Sequence, residues 1–274
     1  MKEVQKWWSK TMILFRFHNN FDICCNRIEM AKRLNPNEPI FGIYGGKYGG
    51  LTREGGNPIY QSLSGIYEIS NGDGRWKWKH FDVALCQWFR EIGKELPWTR
   101  LNIMEWDLLF IRPNTQVYSN LDTDDVGVTQ ITEESNLDPK WGWITGKRKQ
   151  SWVLMKTLLK SRFNYDGPYY GSVGPGLSLP RDFLSEYSKI PDDVILNDCN
   201  DEARIPNFAK AMGFPVKPNK NISPTEVNKD DNSIFNCKQQ EVDTETIMKE
   251  FFKKEGRIAF HPFKGRFNLY QGVS

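Results

Sequence analysis

Glu105-Trp106-Asp107 places two carboxylates two residues apart at the end of an otherwise apolar run, Leu101 to Ile111. Acids at a strand end are costly to bury without a partner. A hard divalent cation is one such partner, most usefully when it also bridges the phosphates of a nucleotide. A salt bridge to Arg100 or Arg112 is the plain alternative. His261 follows the apolar Ile258-Ala259-Phe260 and precedes Pro262-Phe263-Lys264. It reads either as a packed core histidine or, if Asp107 binds a metal, as a second ligand, with the Lys264 ammonium three residues on to neutralise a diphosphate. A third group, Asp198-Cys199-Asn200-Asp201-Glu202, stands at the start of a helix that Gly213 closes. Acids there serve as caps and offset the helix dipole, or one of them is a carboxylate base held on a rigid helix start.

Phosphate-loop signatures fail. Gly142-Trp143-Ile144-Thr145-Gly146-Lys147-Arg148 has its glycines one residue too close for a P-loop, and Arg148 stands where a hydroxyl would hold magnesium. Gly45-Gly46-Lys47-Tyr48-Gly49-Gly50 lacks dinucleotide-loop spacing and opens no helix.

The elements that must carry these residues are legible from periodicity and breakers. The apolar run Met12 to Phe17 ends in the polar turn His18-Asn19-Asn20 and predicts a buried strand. A helix follows over about Phe21 to Leu34 until Asn35-Pro36 stops it, and Ile40 to Tyr44 is a second strand. Strand, helix, strand in so short a span is a βαβ unit and predicts a parallel sheet. Residues 45–78 read as a long insertion with little regular structure, since nine of the 22 glycines fall between Gly45 and Gly74. Helical spacing returns over Phe81 to Ile92. Val126 to Thr129 reads as a short strand, Gln150 to Ser161 as a helix, Gly171 to Phe183 as a glycine-rich turn, strand and helix start, and Asp201 to Met212 as a helix. The polar stretch Lys217 to Thr246 predicts a mobile loop, which together with Trp141 to Trp143 would form a lid over a bound ligand. Arg257 to His261 is the last predicted strand.

Composition narrows the class. A chain of 274 residues can bury about three quarters of its unfolded surface without disulfide or metal staples. A net charge of +3 excludes polyanion binding as the main business of the surface, so nucleic acid is not expected as a partner. Five cysteines with no CxxC pair argue against a disulfide framework and a cysteine zinc site. With no long apolar run and no apolar leader in MKEVQKWWSKTMILF, the expectation is a soluble, cytoplasmic protein without signal peptide or membrane span. Aromatic residues make up 14% of the chain, and those on loops are stacking surfaces suited to sugars or bases.

Taken in order, MILFRFHNN, IFGIYGG, KHFDVALCQWF, EWD, GPGLSLPRDF, DEARIPNFAKAMG and HPFK resemble the nucleotide-sugar glycosyltransferases of GT-A fold over about residues 12–265. The compact form is similar to bacterial and large algal-virus members. The resemblance implies a single α/β domain over residues 1–274, with a Rossmann-like, mixed but mostly parallel central sheet flanked by helices and long loop insertions. It implies a metal-dependent glycosyltransferase (EC 2.4 class) acting in glycan biosynthesis, using Mn²⁺ or Mg²⁺. The enzyme would move a sugar from a nucleotide-diphosphate donor, a UDP-sugar first, to a hydroxyl of a glycan or glycoconjugate acceptor, with inversion. In such enzymes a DxD-type motif holds metal and donor. Here Glu105 replaces the first Asp, so ligation is carried to Asp107 with His261, and Glu105 to the ribose. By the same resemblance Arg16, Phe17, Asn19 and Tyr44 face the base, Lys79, Asp82, Trp106 and Lys264 lie along the donor, and Trp141, Trp143, Gly174 and Gly176 border the acceptor. Asp201 or Glu202 is the base, with Asp198 in reserve. Two rivals remain. A sugar nucleotidyltransferase would need a basic glycine-rich loop after the first strand, where His18-Asn19-Asn20-Phe21 stands, and a non-catalytic carbohydrate-binding protein would need neither metal nor base.

Overall fold

The computed structural model describes residues 11–51, 58–139, 141–142, 144–145, 148–195, 199–223, 234–235 and 241–268. The chain runs through β1 (Thr11–Phe17), α1 (Phe21–Leu34) and β2 (Ile40–Tyr44). Next come α2 (Pro58–Ser62), β3 (Gly65–Glu68), α3 (Gly74–Lys79), α4 (Phe81–Glu91), β4 (Arg100–Glu105), β5 (Leu109–Phe110) and α5 (Asn114–Val117). They are followed by β6 (Val126–Val128), β7 (Ile131–Glu133), α6 (Lys149–Phe163), β8 (Tyr170–Ser172), β9 (Ser178–Pro180), α7 (Arg181–Tyr187) and α8 (Asp192–Ile195). The last are α9 (Asp201–Ala211), β10 (Val216–Pro218), α10 (Thr244–Phe251) and β11 (Ala259–Phe260).

Seven strands form one sheet in the order β10-β6-β9-β4-β1-β2-β3. β1 pairs in parallel with both β2 and β4, β2 with β3, and β10 with β6, while β9 runs antiparallel to β4 and β6. The expected mixed, mostly parallel sheet flanked by helices is therefore present.

Burial on both faces explains the unbroken apolar run of β1, because alternate side chains enter opposite cores. Met12 and Leu14 join one core with α4, α7 and α9, and Ile13, Phe15 and Phe17 join the other with α1. The same alternation points Arg16 to the Met12 and Leu14 face. On β4, Leu101 and Ile103 share that face and Glu105 extends it. Parallel register sets Arg16 beside Glu105. Two charged residues thus end up side by side where the apolar strands stop.

Residues 45–78 are more regular than their glycine content predicts, since β3 adds a parallel edge strand whose Phe41↔Gly65 to Tyr44↔Glu68 register extends β2. Gly65 is needed there, as a Cβ would lie 2.4 Å from the Phe41 ring. The apolar stretch Leu101 to Ile111 is two strands instead of one. Leu108 N–H donates to Glu105 O at 3.0 Å, the chain turns, and β5 leaves the main sheet to pair antiparallel with β11. Of the expected loop Lys217 to Thr246, the start is β10 and the end is the first turn of α10, and Phe235 bridges His261. Residues 224–233 and 236–240 lie outside the described residues, so neither the loop nor a lid is described as a whole. Among the described residues no helix is long and apolar enough to cross a membrane.

Candidate functional site

A cleft of about 880 Å³ opens at the carboxyl ends of β1, β2 and β4, a size suited to a small-molecule ligand. Open parallel sheets bind ligands at this edge because the strands end there and the loops diverge. Its floor is Arg16, Phe17 and His18 after β1 and Glu105, Trp106 and Asp107 after β4. One wall is Gly45 to Tyr48 with Gly72, Asp73, Gly74, Lys77 and Trp78, and another is Gly174, Pro175 and Asn200 to Glu202. His261, Pro262 and Lys264 close the ring.

Arg16 is the hub of the floor. Its Nη1 donates to Glu105 Oε1 at 3.1 Å, and Nη2 donates to the carbonyls of Lys77 at 3.3 Å and Trp78 at 3.1 Å. The guanidinium also lies over the Phe81 ring, 4.3 Å from its centre. These contacts leave Arg16 rigid, and they hold the end of α3 against the floor. Burial, with the Arg16 charge, pushes the His18 imidazole below its ordinary value, and its ring meets Trp106 edge-on at 5.5 Å. Burial likewise pushes the Lys77 ammonium down, and its Nζ donates to Gly46 O at 2.6 Å.

The short β5–β11 pair brings His261 to Asp107 across a long stretch of chain. Ala259↔Phe110 and Phe260↔Leu109 fix the register, and Phe263 N–H donates to Asp107 O at 2.8 Å. His261 Nε2 then sits 3.7 Å from Asp107 Oδ1, and the ligand atoms of Glu105, Asp107 and His261 all lie within 4.8 Å of one another. Burial raises the Asp107 carboxyl above its usual range, which a neighbouring positive charge would reverse. Two carboxylates and an imidazole are a donor set suited to Mn²⁺ or Mg²⁺. Adjacent ligands at about 2.1–2.2 Å from one ion stand about 3 Å apart, so Asp107 and His261 need only a small side-chain closure to share a cation. The residues fit the group. Glu105, one oxygen of which is committed to Arg16, is the outer member.

At the start of α9, Asn200 caps the helix by accepting from Ala203 N–H at 3.3 Å. Glu202 is held at both oxygens, accepting from Gly174 N–H at 3.1 Å and from Asn200 Nδ2 at 3.0 Å. Pro206 cannot donate to the Glu202 carbonyl four residues back, and Ser172 Oγ donates there instead at 2.8 Å. Asp201 is 7% exposed and accepts from Glu202 N–H at 3.0 Å. Burial first, and the charge of Asp82 second, push its carboxyl well above the usual carboxylate range. Of the two acids, Glu202 is built into the loop contacts and Asp201 is the stronger base.

The structure brings Arg16, Phe17, Glu105, Trp106, Asp107, Gly174, Asp201, Glu202, His261 and Lys264 to one cleft. Lys264 also pairs with Glu241 at 3.1 Å. Other expected residues stand elsewhere. Tyr44 is buried beneath the loop, where a Cβ at Gly46 would overlap its hydroxyl. Asp82 is wholly buried in an ion pair with Arg204. Asn19 and Lys79 are not in the lining, and Lys79 offers its carbonyl to Arg204 at 3.4 Å. Gly176, at φ +87°, is pressed against Ile222, and Trp141 packs on Trp152 and Gly171. Asp198 and Trp143 lie outside the described residues. Sequence reasoning missed His18, Lys77, Trp78, Tyr48 and Asp73. The available signal was position: a glycine-rich run directly after a buried parallel strand lies at the sheet's carboxyl edge, where binding loops gather.

No family model and no curated protein matches the chain. Among solved structures it is similar to the galactosyltransferase LgtC in complex with donor and acceptor sugar analogues. That match has 12% identity and a TM-score of 0.40, and it covers 77% of this chain and 74% of that one. A second structure, an active-site mutant of LgtC, is similar at 12% identity and a TM-score of 0.44, over 77% of this chain and 73% of that one.

Proposed function

We propose that this chain is a glycosyltransferase that moves a sugar from a nucleotide-diphosphate donor, a UDP-sugar first, to a glycan hydroxyl with inversion. One observation carries the reading: a single cleft is lined both by Glu105, Asp107 and His261, whose ligand atoms converge, and by the buried, strongly basic Asp201 at a helix start. Asp107 and His261 would hold Mn²⁺ or Mg²⁺. When bound, that cation supplies Lewis-acid stabilisation of diphosphate charge.

The chain's own residues supply the rest. Asp201 accepts the proton of the acceptor hydroxyl as that oxygen attacks the anomeric carbon and the bond to the diphosphate oxygen breaks. The departing diphosphate gains charge, which the Lys264 ammonium at the rim stabilises. Glu105 turns its second oxygen toward the ribose, and Trp106 and Trp78 give apolar faces to the donor. Glu202 and Asn200 hold the helix start so that Asp201 keeps its direction.

The test is release of UDP from a panel of UDP-sugars with Mn²⁺ and with chelator, on the wild type and Asp201→Asn. Metal-dependent release that falls by ~10²-fold or more in the variant supports the reading. Binding of the same sugars without turnover would mark a carbohydrate-binding protein instead.

A further inference from the structure

The buried pair Asp82–Arg204 belongs neither to the cleft nor to an ordinary core. Both side chains are fully buried. Arg204 Nε and Nη2 grip the two carboxylate oxygens of Asp82 at 2.7 and 2.6 Å, and Tyr187 Oη donates to the same carboxylate at 2.6 Å. Arg204 then reaches further. Its Nη1 donates to the carbonyl of Cys199, the residue before the α9 cap, and its Nη2 reaches Lys79 O at 3.4 Å and His80 Nδ1 at 3.1 Å. One guanidinium therefore clasps the start of α4, the end of α3 and the segment entering α9. Those elements are two walls of the cleft: the end of α3 is the part Arg16 grips, and the entry to α9 carries Asp201.

We propose that Asp82 and Arg204 are positioning residues, an internal brace that fixes the entry to α9 so that the Asp201 carboxylate is aimed into the cleft. The proposal rests on the transferase reading in taking Asp201 as the base. Burying an ion pair is seldom a source of net stability, because apolar side chains of similar volume can serve as well. Its use here is direction: a bidentate fork admits one geometry, whereas a packed apolar contact admits several. The pair also acts electrostatically. The charged groups facing Asp201 are Asp82 of α4, Arg16 of β1, and Glu202 and Arg204 of its own helix. Those facing Asp82 are Arg204, His80 and Tyr187. Asp82 thus holds Asp201 basic, and neutralising it would leave Arg204 free to pull the other way.

Two variants separate direction from charge. Arg204→Lys keeps the charge toward Asp82 and gives up the fork that holds Cys199. In this variant kcat falls by ~10-fold to ~100-fold, donor KM stays within about twofold, and the acid limb of the kcat profile does not move. Asp82→Asn keeps an acceptor for Arg204 and Tyr187 and removes the charge, so its acid limb moves to lower pH. Should either variant fail to fold, Asp82→Leu with Arg204→Met replaces the pair by apolar groups and reads the loss of kcat alone. Folded variants with wild-type kcat and an unmoved acid limb would overturn the proposal and leave the pair a core contact. A titration of ¹³C-aspartate-labelled protein, with the Asp201 signal assigned by Asp201→Asn, reads the same coupling without turnover. A wild type that turns over no nucleotide sugar would refute Asp201 as a base. The brace would then stand if Asp82→Asn lowers the Asp201 midpoint and fall if the midpoint is unchanged.

Discussion

Asp201 and Glu202 are neighbours with different work. Asp201→Asn preserves the acceptor that meets Glu202 N–H and removes the basic group, so turnover should drop by ~10²-fold or more with donor affinity kept. The same substitution should stabilise the fold near neutral pH. The folded chain holds the Asp201 proton more tightly than the unfolded chain does, so it binds more protons between the ordinary aspartate value and the raised one, and stability falls as pH rises through that window. Melting at pH 7 should therefore be higher in the variant by about 2 °C or more, with the gain vanishing below about pH 4. An equal or lower Tm at pH 7 would contradict the buried, proton-holding carboxyl. Glu202→Gln should behave oppositely. One end of the amide would face Gly174 N–H or Asn200 Nδ2 donor to donor, costing ~1–2 kcal/mol by denaturant titration while leaving more turnover than Asp201→Asn. The sequence shows two acids at a helix start. It does not show which has its oxygens satisfied, because the partners come from Gly174 and from Asp82, far along the chain.

Among the elements, α3 is the most exposed to a local test. Asp73 caps it by accepting from Trp76 N–H at 2.8 Å, and the carbonyls of Lys77 and Trp78 at its far end hold Arg16. Asp73→Ala should cost ~1 kcal/mol and weaken UDP binding, whereas Asp73→Ser keeps the cap and restores most of both. Failure of Ser to rescue would mean that Asp73 acts in the cleft directly. β1, α1 and β2 were readable almost to the residue because apolar runs and the Asn35-Pro36 stop mark them. β3 was hidden, being four residues in a glycine-rich stretch and specified by its register against β2. The break at Glu105 was hidden too. Leu101 to Ile111 is apolar enough for one strand, and only the pairing of β5 with β11 diverts it. That diversion sets His261 beside Asp107, so the metal-ligand pair depends on an element boundary that periodicity does not mark.

At the scale of the molecule, strand order decides the chemistry on offer. β1 at the centre of the parallel run and β4 beside it end together, and their terminal Arg16 and Glu105 pair across the register. The floor of the cleft is thus a continuation of the sheet. The modest charge of +3 and the mixed lining of acids, cations and aromatics suit one small charged ligand better than a polymer. The central claim is that this cleft binds a nucleoside diphosphate through a divalent cation on Asp107 and His261. Isothermal calorimetry of UDP with the wild type and Asp107→Ala, each with Mn²⁺ and with chelator, tests it most directly. The account predicts heat of binding only for the wild type with Mn²⁺, with Asp107→Ala folded and silent. UDP binding of equal strength in chelator, or in Asp107→Ala with Mn²⁺, would contradict it.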